Sequence, residues 1–223
     1  MKRLIAAVED ALWPRGVKCL CCDAYSSGNA LCPVCTRGLE AMRLPVKDNA
    51  RASLSTYCYD GVTRELIHLL KYECTADAAA VLAKGMAVTL SCMQLPPDTV
   101  LTWVTMPDSR RRTRGIDHGR TLCEALSEIT GMPASRMLTR VGRPHTQRGL
   151  DKETRLRNVR DTFCCDRAPS RAVLIVDDVM TTGATAAACE AVLREAGAEQ
   201  VFVLTAARVM TDPGELFLEE QKG

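Results

Sequence analysis

The 223-residue chain predicts an α/β protein: an open, mostly parallel sheet flanked by helices, preceded by a small cysteine ribbon. Three observations carry that expectation. Apolar, β-branched runs alternate with helical patterns along most of the chain. One such run, Val173 to Val176, ends in two aspartates and a hydroxyl-rich glycine loop. Four of the 12 cysteines stand in two Cys-x-x-Cys pairs near the N-terminus.

The first segment, Met1 to Gly16, reads as a short amphipathic helix. Its basic start runs into Glu9 and Asp10 and no small-residue cleavage site follows, so it is not expected to be a signal peptide. Next come Cys19 and Cys22, then Cys32 and Cys35, with Ser26, Ser27, Gly28 and Asn29 turning the chain between the pairs. Four thiolates at this spacing suit a tetrahedral structural zinc ion; a redox-active or simply buried cysteine cluster is the other reading. Cys21 is a spare thiol that could replace a neighbour. So small a segment cannot build its own core, so zinc would be what folds it. Cys58, Cys74, Cys92, Cys123, Cys164, Cys165 and Cys189 show no metal spacing and read as small core residues. The polar, proline-bearing stretch from Leu44-Pro45 to Ala50 reads as a linker, dividing residues 1–44 from a second unit over 51–223.

Ser53 to Tyr59 reads as a strand, broken by Asp60-Gly61. A helical run with Leu66, Ile67, Leu69 and Leu70 follows, closed by Lys71-Tyr72. A second helix, about Asp77 to Leu90, is rich in alanine and leucine and is expected to lie on the sheet. Thr99 to Met106 is the next strand, stopped by Pro107. Asp108 to Gly115 carries Arg110, Arg111, Arg112 and Arg114 into a helix that ends at Gly131. Arginine forks suit phosphate oxygens; a solvated or nucleic-acid-facing patch is the alternative. Arg140 to Thr162 has many charges and little periodicity. It reads as a mobile lid whose Arg143, Thr146, Gln147, Arg155, Arg157 and Asn158 close over a polyanion, or as a solvated loop. Phe163 to Ser170 leads back to Val173–Val176, and Gln200 to Ala206 supplies one more strand.

The run Val173 to Val176 suits a strand buried on both faces, and small molecules bind beyond the carboxyl ends of such strands. Asp177 and Asp178 fall there. Both carboxylates can reach one ligand only if the chain curls off the sheet at that point. Thr181, Thr182, Gly183, Ala184 and Thr185 then offer hydroxyls and successive N–H groups leading into a helix that Gly197 ends, a phosphate cradle. The loop has no lysine and so is not the phosphate loop of nucleotide triphosphatases. Ionised carboxylates suit a diol and the loop's donors suit a phosphate; a ribose 5-phosphate has both ends.

A formal charge of +2 gives no global pull toward nucleic acid, and an apolar fraction of 47% is ordinary for a globular chain. No stretch approaches the length of a transmembrane helix, so no membrane insertion and a cytoplasmic location are expected.

Residues 173–185 resemble, at every position, the 5-phosphoribosyl-1-pyrophosphate (PRPP) signature of type I phosphoribosyltransferases. The resemblance implies that Asp177 and Asp178 hold the ribose hydroxyls while Thr181 to Thr185 wrap the 5-phosphate. Over nearly its full length the chain is similar to the ComF/GntX family of competence-associated phosphoribosyltransferase-like proteins. The residues that carry this are Cys19, Cys22, Cys32 and Cys35; Leu66 to Tyr72; Arg111 to Gly115; and Thr146, Gln147, Leu150, Arg155, Arg157, Asn158 and Phe163. The chain departs from the family where Asp117-His118 stands in place of Asn-Gln and Cys74 in place of a glycine. The resemblance implies a type I phosphoribosyltransferase fold with a zinc ribbon. It also implies Mg²⁺-PRPP as ligand, with Arg111, Arg112, Arg114, Gln147 and Arg157 on the pyrophosphate side and Asp177, Asp178, Arg111 and Arg114 as the catalytic set. The acceptor is not named by the sequence. A competing reading makes the PRPP site vestigial or sensory, with the ribbon and basic loop binding single-stranded DNA or a DNA-uptake protein.

Overall fold

The computed structural model describes residues 18–46, 52–73, 75–106, 117–141, 162–165 and 169–210. The expected N-terminal helix, the basic loop with Arg111, Arg112 and Arg114, the lid residues 142–161 with Gln147 and Arg157, and the tail from Thr211 lie outside them.

Four strands form one all-parallel sheet: β1 (Ser53–Cys58), β2 (Val100–Trp103), β5 (Ala172–Met180) and β6 (Gln200–Arg208), in the order β1-β6-β5-β2. The central β5 explains the arrangement. Its Val173, Leu174, Ile175 and Val176 are fully buried, which requires cover on both faces of the sheet. On one face lie α2 (Gly61–His68), α3 (Ala76–Ser91) and α4 (His118–Thr130), packed on Leu174 and Val176; on the other lies α5 (Ala184–Glu195), over Val173 and Ile175. Ala78, Ala79 and Ala83 of α3 are fully buried, and their small side chains let the helix approach the sheet closely.

Helix ends follow local rules. The Asp60 carboxylate accepts from the Gly61 N–H at 2.7 Å to start α2, and Gly131, at φ 72°, ends α4. Instead of stopping cleanly, α2 passes into a π-helical turn, Leu69–Glu73, that contains Lys71 and Tyr72.

The ribbon is joined to the sheet by more than a tether. Its helix α1 (Pro33–Ala41) is followed by residues that run antiparallel to β1: the Leu44 N–H donates to the Thr56 carbonyl at 2.9 Å and the Cys58 N–H to the Met42 carbonyl at 2.7 Å. These bonds cover an otherwise open sheet edge. Arg43 stacks 5.0 Å over the Tyr57 ring and donates to Tyr57 Oη at 3.2 Å and to the Gly85 carbonyl at 3.3 Å. Only glycine fits at Gly85, because a Cβ there would meet Tyr57 Oη. Cys19, Leu31, Cys32, Cys35 and Leu39 share one apolar cluster with Leu66 and Ile67 of α2.

Three local expectations change. The segment after residue 162 pairs: β4 (Phe163–Cys165) runs antiparallel to β3 (Leu138–Arg140), so the two ends of the expected lid are fastened together. Cys123 and Cys189 are buried as small core residues, but Cys58, Cys164 and Cys165 are only partly so and Cys92, just past the end of α3, is exposed. The strand expected from Thr99 to Met106 is trimmed to Val100–Trp103.

Candidate functional site

β5 does not curl away after Val176. Asp177, Val179 and Met180 still pair with Thr205, Ala207 and Arg208 of β6, and the alternation slips only after Asp178, since Val179 packs with Leu174 and Val176 and Met180 with Val173 and Ile175. Asp177 continues the side of Val173 and Ile175, facing α5; Asp178 continues the side of Leu174 and Val176, facing the helices of the other layer. The two acids are therefore not equivalent. The Asp178 N–H donates to Asp177 Oδ1 at 2.9 Å. Asp178 itself is 5% exposed, and Lys71 Nζ and His118 Nε2 each come within 3.0 Å of its Oδ2. Neither donor is well aligned, which leaves that oxygen buried without a full hydrogen bond.

This asymmetry sets the charges. Burial and the adjacent Asp178 carboxylate push Asp177 up to about 7. Burial also opposes ionisation of Asp178, but the His118 N–H and the Lys71 ammonium outweigh it and hold this acid below the usual carboxylate range. One proton on the pair resides by preference on Asp177.

A carboxyl raised on folding stabilises the fold below its unfolded value of 3.8, and that contribution is lost as pH rises through about 7. Asp178 has the opposite sign, with its loss confined to the acid side of the ordinary carboxylate range. Asp177→Asn, which keeps the shape without the charge, is thus expected to gain stability over the parent as pH goes from 5 to 8, reaching several degrees in Tm. Thermal melts of both proteins across that range check it; a difference in Tm that stays constant with pH counts against the assignment.

The loop after β5 leads directly into α5. Gly183 occupies the N-cap position at φ 77°, a left-handed conformation that favours glycine, and it brings no side chain to cap the helix. The Thr182 hydroxyl accepts from the Ala184 N–H at a long 3.4 Å. First-turn N–H groups are thus available to an anion. Thr181, Thr182 and Gly183 also line a cavity of about 250 Å³, bounded by Glu190 of α5 and Arg208 at the end of β6.

The ribbon brings its four predicted ligands together. The sulfurs of Cys19, Cys22, Cys32 and Cys35 all lie within 4.8 Å of one another, with Cys22 at 3.5 Å from Cys35 and 3.6 Å from Cys32. A tetrahedral ion with Zn–S bonds of about 2.3 Å spaces its sulfurs about 3.8 Å apart, so the cluster could hold such an ion. Cys21 lies outside it.

Arg111, Arg112, Arg114, Gln147 and Arg157 lie outside the described residues. The site residues not singled out from sequence are Lys71, His118 and Arg208. Lys71 sits inside the Leu66 to Tyr72 motif and His118 at the departure from the family pattern, so both signals were present as motif positions without a role.

A parallel sheet whose central strand ends in an acidic pair and a glycine-centred loop opening a helix defines the fold of a type I phosphoribosyltransferase-like protein. No protein-family model matches the chain. The DNA utilization protein YhgH of Salmonella typhimurium is 30% identical over 213 residues, covering 87% of this chain and 91% of that protein. Its counterpart in Escherichia coli K12 is 28% identical over 90% of this chain and 93% of its own length. Competence protein F of Haemophilus influenzae is 34% identical over 104 residues, 44% of this chain and 45% of that one. The chain belongs to the ComF/GntX family, with these DNA utilization and competence proteins as relatives. Similar solved structures include the glutamine PRPP amidotransferase of B. subtilis, at 24% identity and TM-score 0.40, matching 62% of this chain and 30% of that longer one. The allosteric regulatory enzyme of purine biosynthesis matches at 28% identity and TM-score 0.40, over 59% of this chain and 26% of its own. Adenine phosphoribosyltransferase of Leishmania tarentolae matches at 14% identity and TM-score 0.41, over 72% and 79%.

Proposed function

We propose that the chain binds Mg²⁺-PRPP at the end of β5 and transfers the phosphoribosyl group to an acceptor. The observation that carries this reading is the passage of β5, with its two acids, into the glycine-centred loop and uncapped start of α5. The loop hydroxyls and the N–H groups of Ala184, Thr185 and Ala186 cradle the 5-phosphate. We assign both carboxylates to the ribose hydroxyls across the strand end, where the alternation slips after Asp178: Asp178 accepts from the side of Lys71 and His118 and Asp177 from the side of α5, which requires Asp177 to give up its proton as ligand binds. The bond from the anomeric carbon to pyrophosphate breaks, its electron pair leaves with pyrophosphate, and the acceptor's nucleophilic atom takes its place. Mg²⁺ arrives with PRPP and offsets the charge of the leaving group. Arg111, Arg112, Arg114, Gln147 and Arg157 are assigned to the pyrophosphate side by family resemblance. Zinc held by Cys19, Cys22, Cys32 and Cys35 serves the fold.

The relatives' names, DNA utilization protein and competence protein, support a role for this chemistry in DNA use, and we take the cytoplasm as its location. Among the described residues no helix is long and apolar enough to cross a membrane. One observation favours a second reading, a DNA- or partner-binding module: Tyr25 and Val34 of the ribbon are 71% and 67% exposed.

Calorimetric titration with PRPP, with and without Mg²⁺, tests the first reading. Saturable one-to-one binding that depends on Mg²⁺ is expected, and an acceptor screen follows from it. No binding of PRPP, together with retention of single-stranded DNA that falls steeply with salt, replaces the enzyme with the binding module.

A further inference from the structure

Asp178 is held by two residues that come from separate elements on the same side of the sheet. Lys71 belongs to the π turn after α2; such turns insert an extra residue and re-aim the side chains they carry, and they are frequent at functional sites. His118 is the first residue of α4, next to the capping Asp117. Their nitrogens meet on one oxygen, each 3.0 Å from Asp178 Oδ2, with side chains 25% and 16% exposed. A carboxylate only accepts, so His118 Nε2 faces it as a donor.

A second, independent observation lies beside this contact. His118 Nδ1, Trp103 Nε1 and Thr105 Oγ1 are all buried without a hydrogen-bond partner among the described residues. Trp103 ends β2, the neighbour of β5, and Thr105 lies just beyond it. The Trp103 ring packs beside Gly119, the residue after His118, so the end of β2 meets the start of α4 there. Buried polar atoms are ordinarily satisfied. Here they lie on elements that meet at the carboxyl edge of the parallel sheet, the edge at which such sheets bind their ligands.

We propose that Lys71 and His118 are positioning residues of the ribose site: they hold the Asp178 carboxylate as a fixed anionic acceptor for the ligand's hydroxyls. The assignment deepens the PRPP reading and rests on it. Among the described residues, the charged and titratable groups facing Asp178 are Lys71 from the π turn, His118 from α4 and Asp177 from its own strand. Lys71 brings its Nζ and His118 its Nε2 to within 3.0 Å of the carboxylate. Neither needs to touch the reacting atoms.

The experiment is calorimetric titration of the intact protein with Mg²⁺-PRPP, on variants whose melting temperature and zinc content match the parent. Lys71→Met is expected to weaken binding ten- to a hundredfold, and Lys71→Arg, which keeps the cation, to recover most of it. His118→Gln, which keeps one N–H for the carboxylate, should lose less than His118→Leu. In an Asp178→Asn background, Lys71→Met should cost twofold or less, because the carboxylate through which it acts is gone. A residue with a merely structural role would bring its full loss into that background. Binding by Lys71→Met within threefold of the parent, or a loss fully additive with Asp178→Asn, overturns the positioning role while leaving PRPP binding intact. Failure of the parent to bind Mg²⁺-PRPP overturns the proposed function and this assignment with it.

Discussion

Replacing both strand-end acids, Asp177→Asn with Asp178→Asn, is expected to weaken Mg²⁺-PRPP binding by about two to four powers of ten. Hydrogen bonds to charged groups contribute roughly 1.5 to 3 kcal/mol each, and the double variant loses two of them. An amide of the same shape has a weaker acceptor and a competing donor. Zinc content and fold should be kept, because the acids sit at the carboxyl end of β5 and the cysteines lie in a separate part of the molecule. The singles should differ. Asp178→Asn also releases Lys71 and His118 from their common partner, whereas Asp177→Asn removes a group that already tends to hold a proton. Thr181 and Thr185 should matter less singly, since backbone N–H groups carry much of a phosphate cradle. Titration calorimetry reads the result, and affinity within threefold of the parent in the double variant would show that PRPP binds elsewhere.

Removal of zinc is expected to have the largest effect on stability. The parent should carry about one Zn²⁺ per chain, and a Cys32→Ser, Cys35→Ser double variant close to none. Cys32 is more than a ligand: its sulfur lies 3.5 Å from the Cys35 N–H at the start of α1. For a chain of this size each kcal/mol lost lowers Tm by about 2–4 °C, and loss of a structural metal costs several kcal/mol. A fall of about 10 °C or more is the expected outcome. It should not stay confined to the ribbon. Leu31, Cys35 and Leu39 pack in the same cluster as Leu66 and Ile67, and residues 42–44 cover the edge of β1, so melting the ribbon exposes both. Metal analysis with thermal melts before and after chelation checks this; full zinc occupancy in the double variant refutes the ligand assignment.

The cysteine set and the strand, acid pair, loop and helix of residues 173–185 were legible because each is local. Two Cys-x-x-Cys pairs joined by a short turn have few ways to place four sulfurs, and the folded chain adopts one in which they converge. A β-branched run followed by a glycine-centred threonine loop makes strand and helix adjoin whatever surrounds them. The same holds for the caps at Asp60 and Gly131, where one side chain or one φ angle decides the boundary.

Tertiary structure decided what the two aspartates face and who meets them. From sequence, a chain that curled after Val176 would have turned both acids to one ligand; pairing with β6 continues to Met180 and the alternation slips only after Asp178, so the two acids leave the strand toward different layers. Lys71 and His118 could be quoted as motif positions, yet no periodicity brings residues so distant in the chain onto one carboxylate; the packing of α2 and α4 against the same face does. The pairing of β3 with β4 and the Arg43, Tyr57 and Gly85 contact are of the same kind. Local chemistry is set by residues a few positions apart, so it can be read along the chain. The charge state of Asp178 depends on which distant groups are buried beside it, and burial belongs to the whole fold.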